Sequence, residues 1–214
     1  MKASHILNIL LGGALIGMTA LWYNGQRTTD NRPQTTADEP PEPVAYVLEN
    51  IDTRASVRMF KKDEVSDMLV GELLHAGMAA PTALNAQPWH FIVIRDRDVL
   101  SSLSVASPHT GVLADAPLAI AVCGNLKKKL KSAEGVYWQH DACAATENIL
   151  LAAHGLGLGA TWTGWYPVEE RYQVARKALS LPDHIVPVSI IAIGYPAMPV
   201  VPKDKWNPEN VSYR

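Results

Sequence analysis

The chain has 214 residues, 48% of them hydrophobic and 19% charged, with a formal net charge of −2. That length holds one domain with a substantial core plus an appendage, the apolar fraction excludes a disordered chain, and the near-neutral charge gives no support for a nucleic-acid partner. Two cysteines, Cys123 and Cys143, are too few for a disulfide framework and lack metal-ligand spacing, so their expected role is that of small buried hydrophobes and no metal site is expected.

Residues 6–22 form an uncharged apolar run after Lys2, closed by Trp22 and Tyr23, residue types that suit a membrane interface. As a helix the run spans about 25 Å, slightly short of a bilayer core. A cleaved signal peptide, an uncleaved anchor and a buried core helix compete. The poor small-x-small pattern around residues 18–20 favours an uncleaved anchor over 1–23. Residues 24–43 are rich in Thr, Gln, Asp, Glu and Pro and read as an extended linker. The folded domain is therefore expected at 44–214. It is expected to be tethered to the membrane on the extracytoplasmic (periplasmic) face, with the cytosolic face or secretion after cleavage as alternatives.

The first expected element of the domain is a short helix at 44–51. In DTRASVRMF, residues 52–60, Arg54, Ser56 and Arg58 alternate, so an extended backbone puts them on one face. Two guanidinium forks and a hydroxyl there suit a phosphate monoester, although a solvated edge strand explains the same pattern. Residues 63–79 carry apolar positions at helical spacing. Pro81 ends that helix, and 82–87 form a loop bearing Asn85 and Gln87. A carboxamide both donates and accepts, so these two amides suit the edge of a flat heterocycle, or they satisfy loop backbone.

The run 89–94 is rich in β-branched and aromatic residues and is expected as a strand, followed by a helix at 99–105. His109 falls in the loop after it. The continuous apolar run 117–123 reads as a buried central strand. KKKLK, within 126–133, has a solvated basic patch as its default reading. Residues 136–154 form the longest helix, rich in small residues that permit close packing. HGLGLGA follows that helix instead of opening one, so it is not a dinucleotide fingerprint. Beyond it, Gly164 lets backbone approach a ligand closely and makes the neighbouring amides possible donors, although the three aromatics around it equally suit a core. A helix at 167–179, a strand at 185–193 and a proline-rich arm at 195–214, with Lys203 and Lys205 alternating, complete the chain.

Four segments together resemble the FMN-dependent nitroreductase family: TRASVRMF, LLHAGMAAPTALNAQPWHFIVIRD, DACAATENILLAAHGLGLGATWTG and IAIGYPAMPVVPKDKW. The resemblance covers about residues 51–214. It implies an α+β fold, an antiparallel or mixed sheet of four or five strands flanked by helices, in a domain-swapped homodimer with FMN at the interface. It implies that Arg54, Ser56 and Arg58 hold the FMN phosphate and ribityl groups and that Lys203 and Lys205 reach the phosphate. Asn85 and Gln87 then lie near the flavin ring, and the backbone of Thr163 and Gly164 lies over its reactive edge. Ala55 stands where the family often has a basic residue, and lysines stand in the tail where arginine is frequent.

The implied activity is ping-pong transfer from a reduced donor, NAD(P)H, to nitroaromatic, quinone or similar acceptors. The flavin carries the chemistry, and no side chain is nominated as catalytic. Trp138, Trp162 and His109 are candidates for lining the pocket. The rival activity on this fold, reductive dehalogenation, needs a lid that the short interval between 125 and 141 argues against. A flavin-binding module without catalysis is the remaining alternative.

Overall fold

Four strands form one antiparallel sheet in the order β1-β2-β4-β3: β1 is Trp89–Ile94, β2 Leu118–Asn125, β3 Gly159–Gly164 and β4 Ile185–Gly194. The computed structural model describes residues 42–214. The helices are α1 (Glu42–Thr53), α2 (Asp67–Met78), α3 (Arg97–Ser104), α4 (Val112–Asp115), α5 (Trp138–Gly155) and α6 (Glu169–Ala178). An apolar sequence without alternation reads as a strand buried on both faces. β4 is such a strand, buried along its whole length, and β2 is buried up to Asn125.

One face of the sheet packs Leu118, Ile120, Ile191 and Ile193 against Val70 and Leu73 of α2 and Ala142, Ala145 and Ile149 of α5. The other packs Ala119, Ala121, Ile190 and Ala192 against Leu100 and Leu103 of α3, Leu113 of α4 and Ala175 of α6. The register shifts between Val122 and Cys123, which pair with Ser189 and Pro187. Proline cannot donate to the ladder, so a bulge falls there. The bulge reverses the alternation, and Val186 and Val188 share a face with Ile191 and Ile193. Small residues let α5 sit close. A Cβ at Gly77 of α2 would come within 3.0 Å of the Ile149 side chain.

Helix ends follow local chemistry. Ser66 caps α2 through its hydroxyl, so the helix starts at Asp67, later than the expected residue 63. Asp96 caps α3 by accepting from the Asp98 and Val99 amides. Strand β3 is absent from the sequence-based expectation because its six residues include two glycines, which weaken a strand signal. Gly159 has a packing reason: a Cβ there would lie 2.6 Å from Val57 Cγ1. Cys123 is fully buried, which pushes its thiol up to about 12.

The expected anchor at 1–23 lies outside the described residues, as does most of the expected linker, whose last two residues belong to α1. The expectation of a membrane-tethered domain is corrected. Among the described residues no helix is long and apolar enough to cross a membrane. The longest, α5, is built into the core.

Candidate functional site

The chain leaves α1 at Thr53 and runs along the free edge of β3. The Val57 amide donates to the Ala160 carbonyl at 3.0 Å, and the Thr161 hydroxyl donates to the Val57 carbonyl. Lys61 N then donates to Tyr195 O at 2.8 Å, and Ala197 N to Met59 O at 2.9 Å, so this segment also holds the start of the tail. Arg54, Ser56 and Arg58 consequently share a cavity of about 180 Å³ with Ala55, Val201, Lys203 and Lys205. A larger concavity beside it, about 840 Å³, is lined by Arg54, Lys203, Lys205, Trp206 and Glu147, among others.

Four cations therefore converge from two distant parts of the sequence. Arg54 Nε lies 3.6 Å from Glu147 Oε1, and the glutamate side chain is 48% exposed. At that distance and exposure the pair is weak, and it leaves the guanidinium available to a stronger anion. Behind Arg54, His154 Nε2 lies 2.8 Å from the Thr53 hydroxyl. That hydroxyl donates to the Glu49 carbonyl at 2.6 Å, so Nε2 carries the proton. Burial, then the Arg54 charge, holds the His154 imidazole below its ordinary value.

The amide loop sits at the other end of the sheet, leading into β1. A single 3-10 turn, Ala83–Asn85, opens it, and the buried Asp141 of α5 accepts from the Ala83 amide at 2.9 Å. Leu84, Asn85 and Gln87 have φ of 48°, 54° and 48°. Three non-glycine residues in the left-handed region are costly, and such strain concentrates at functional sites. The Thr82 hydroxyl serves the loop backbone by accepting from Gln87 N at 3.2 Å. The two amides instead hold each other, Gln87 Nε2 donating to Asn85 Oδ1 at 3.1 Å. Among the described residues, Asn85 Nδ2 and Gln87 Oε1 are left unpaired, an open donor beside an open acceptor.

At the far end of β3, Gly164 and Thr163 differ. The Ala160 carbonyl points away from β4, toward Val57. Alternation in an antiparallel ladder then turns Trp162 and Gly164 toward the open edge and Thr163 toward Ile190 of β4. The Thr163 side chain is committed too, donating to Ile190 O and accepting from Trp165 Nε1. Gly164 is exposed, and a Cβ built on it meets nothing within 4 Å, so a ligand can approach the backbone closely there. Arg171 of α6 donates to the Gly164 carbonyl at 2.8 Å and fixes the strand end.

Within one chain these groups are not all together. β1 and β3 are the two edges of the sheet. Three strand spacings, about 14 Å, separate the loop's edge from the cradle's. Neither cavity lined by the basic residues includes a residue of the 82–87 loop.

Comparison with known proteins follows the same span. The sequence matches the nitroreductase family profile over residues 51–107 and 107–195. The chain belongs to the nitroreductase family. A protein of Methanothermobacter thermautotrophicus, provisionally named NADH dehydrogenase/NAD(P)H nitroreductase, is 42% identical over 77% of this chain and 85% of its own length. A crystal structure from Parabacteroides distasonis with the same provisional name superposes with a TM-score of 0.74 at 40% identity, covering 78% of this chain and 97% of that one. A protein from Desulfovibrio desulfuricans, provisionally named a nitroreductase and crystallised in complex with FMN, superposes with a TM-score of 0.69 at 32% identity, covering 82% of this chain and 98% of that one.

These nitroreductase relatives complete the correction above. They are named for NADH or NAD(P)H, and with no spanning helix among the described residues the extracytoplasmic, membrane-tethered placement is withdrawn. Of the pocket candidates, Trp138 is buried, its ring 5.0 Å from that of Tyr166, while Trp162 is half-buried and His109 is exposed in a surface turn. Sequence reasoning missed Asp141 and Arg171. Asp141 heads the third segment of the resemblance but sits in a helix's first turn, an ordinary place for an acid, and Arg171 stands in a charged helix start, so nothing local marks the contact either one makes.

Proposed function

We propose that residues 44–214 form an FMN-binding domain and that the protein is an oxidoreductase passing electrons from NADH or NADPH to nitroaromatic or quinone acceptors. The observation that carries this reading is the shared cavity of Arg54, Ser56, Arg58, Lys203 and Lys205. A phosphate monoester carries close to two negative charges and three acceptor oxygens. Two guanidinium groups, two ammonium groups and a hydroxyl supply donors for all of them. FMN, when bound, supplies the electron and hydride chemistry.

The protein's share is to bind and orient. The Gly164 amide, at the open edge of β3, offers a donor to a ring nitrogen. Asn85 Nδ2 and Gln87 Oε1 offer a donor and an acceptor to the ring edge, and strain in the loop keeps them aimed. The loop and the cradle sit on opposite edges of one sheet, and on this reading a second copy brings its loop to the first copy's cradle. α1 supports this arrangement, since it exposes Val47, Leu48 and Ile51. Apolar surface of that kind is typical of a contact face. The homodimer, with exchanged tails, is thus part of the proposal. Only a tight turn and the short 3-10 helix Ala133–Val136 lie between β2 and α5, which leaves little chain for a dehalogenase lid.

The test is the visible spectrum of the purified protein, followed by steady oxidation of NADH and NADPH with menadione or a nitrofuran as acceptor. A yellow protein that turns over either donor is expected. A protein that takes up no FMN sinks the reading, and bound FMN with no turnover converts it to a flavin-binding module.

A further inference from the structure

The lysine-rich turn after β2 is not a featureless charged surface. Asn125 nucleates it: its side-chain oxygen accepts from Lys127 N at 3.1 Å and its carbonyl from Lys128 N at 2.9 Å. The chain then folds back on itself through Gly135. A Cβ there would lie 2.3 Å from the Leu130 carbonyl, so only glycine permits this closure. The result is a concavity of about 420 Å³ lined by Lys127, Lys129, Lys131 and Ser132 over an apolar floor of Leu126, Leu130 and Val136. The one acidic residue between 126 and 136, Glu134, does not line it.

This concavity adjoins the amide loop. The Asn125 amide donates to the Pro88 carbonyl at 2.6 Å, and Pro88 directly follows Gln87. Four residues of chain reach at most about 14 Å, so Lys129 lies within that distance of Asn125. A co-substrate whose reactive end rests against the ring beside Asn85 and Gln87 therefore trails its far end past three ammonium groups. An ammonium is a compact point charge that suits a phosphate monoester without demanding bidentate geometry.

We propose that the Lys127–Lys129–Lys131 concavity is a specificity site for the donor, holding the 2′-phosphate of NADPH and so selecting NADPH over NADH. The inference rests on the oxidoreductase reading above and names the donor for that same site. NADH presents a neutral hydroxyl at the position where NADPH presents a dianion, and only the dianion gains from three clustered lysines.

The test uses the full-length FMN-loaded protein and the double variant Lys129→Glu with Lys131→Glu. Both lysines belong to a surface turn, and the variant tests charge with little demand on the core. The wild type is expected to show a kcat/KM at least 10-fold higher for NADPH than for NADH. The ratio should fall at least 10-fold in the variant, and the NADPH value should drop more steeply with salt than the NADH value. Calorimetry with 2′,5′-ADP against ADP gives a readout without turnover: 2′,5′-ADP should bind more tightly, and the difference should vanish in the variant. Equal use of both donors by the wild type, or an unchanged ratio in the variant, overturns the inference while leaving the oxidoreductase reading intact. If neither donor is oxidised, that reading fails, and the 2′,5′-ADP comparison still decides this one. A salt effect confined to an anionic acceptor counts against it.

Discussion

Arg54 is the residue on which most of the site's charge balance turns. Its side chain is 17% exposed, the Glu147 carboxylate lies 3.6 Å away, and the Arg54 charge is felt by His154. A charge-assisted contact to phosphate contributes about 1.5–3 kcal/mol. Arg54→Met and Arg58→Met are each expected to weaken FMN binding roughly 10- to 100-fold, read by fluorescence titration of the deflavinated protein. An affinity within about twofold of wild type would remove both from the cradle.

His154 makes a separate prediction. Burial and the Arg54 charge favour its neutral form in the fold, so the unfolded chain binds the extra proton first. Its contribution to stability is present above the ordinary histidine value of 6.5 and is lost as pH falls through the lowered folded value. Urea midpoints taken from about pH 7 to 5 should fall more steeply for wild type than for His154→Gln. Parallel curves would mean that the imidazole is not coupled to folding. At this scale the sequence was legible where chemistry repeats at a fixed spacing, as in Arg54, Ser56 and Arg58. It was mute where one side chain reaches across the fold, as Asp141 does to the Ala83 amide.

Elements show the same division. β2 and β4 announced themselves through unbroken apolar runs, while β3 was hidden by its glycines. One of them, Gly159, is required by Val57, which arrives from elsewhere in the chain. Gly124 illustrates the energetic side. A Cβ there would fall 2.1 Å from Trp138 Cε3, so the indole ring occupies the space a side chain would need at this position of β2. Gly124→Ala should destabilise the fold by about 1–3 kcal/mol, the range for an overpacked core. Pairing it with Trp138→Leu should recover part of that loss, since the two sites are in contact. A neutral single variant, by urea denaturation, would show that the ring moves freely. The amide loop carried its chemistry openly in Asn85 and Gln87, but its three left-handed residues could not be foreseen, because none is glycine.

For the whole molecule, the proposed dimer is argued from the sheet order. With the loop at the β1 edge and the proposed cradle at the β3 edge, one copy would hold two half-sites of the proposed dimer. Sedimentation of the full-length protein should give a dimer, and FMN affinity should fall on dilution once that dimer dissociates. A monomer that keeps full FMN affinity at nanomolar protein would refute the shared site. The overall α+β class and the order of segments were readable because the family's motifs span most of the chain. The distance between half-sites was not, because strand order in a sheet is a long-range property that no local pattern encodes.

The cradle also has a consequence in time. Its two arms come from near the start and near the end of the folded chain, Arg54 and Arg58 from one and Lys203 and Lys205 from the other. During biosynthesis the sheet-forming residues through Gly194 precede the second arm. If these arms hold the FMN phosphate as proposed, a nascent polypeptide can complete its core before it can grip that phosphate, and loading waits until the ribosome has delivered the last stretch of the message.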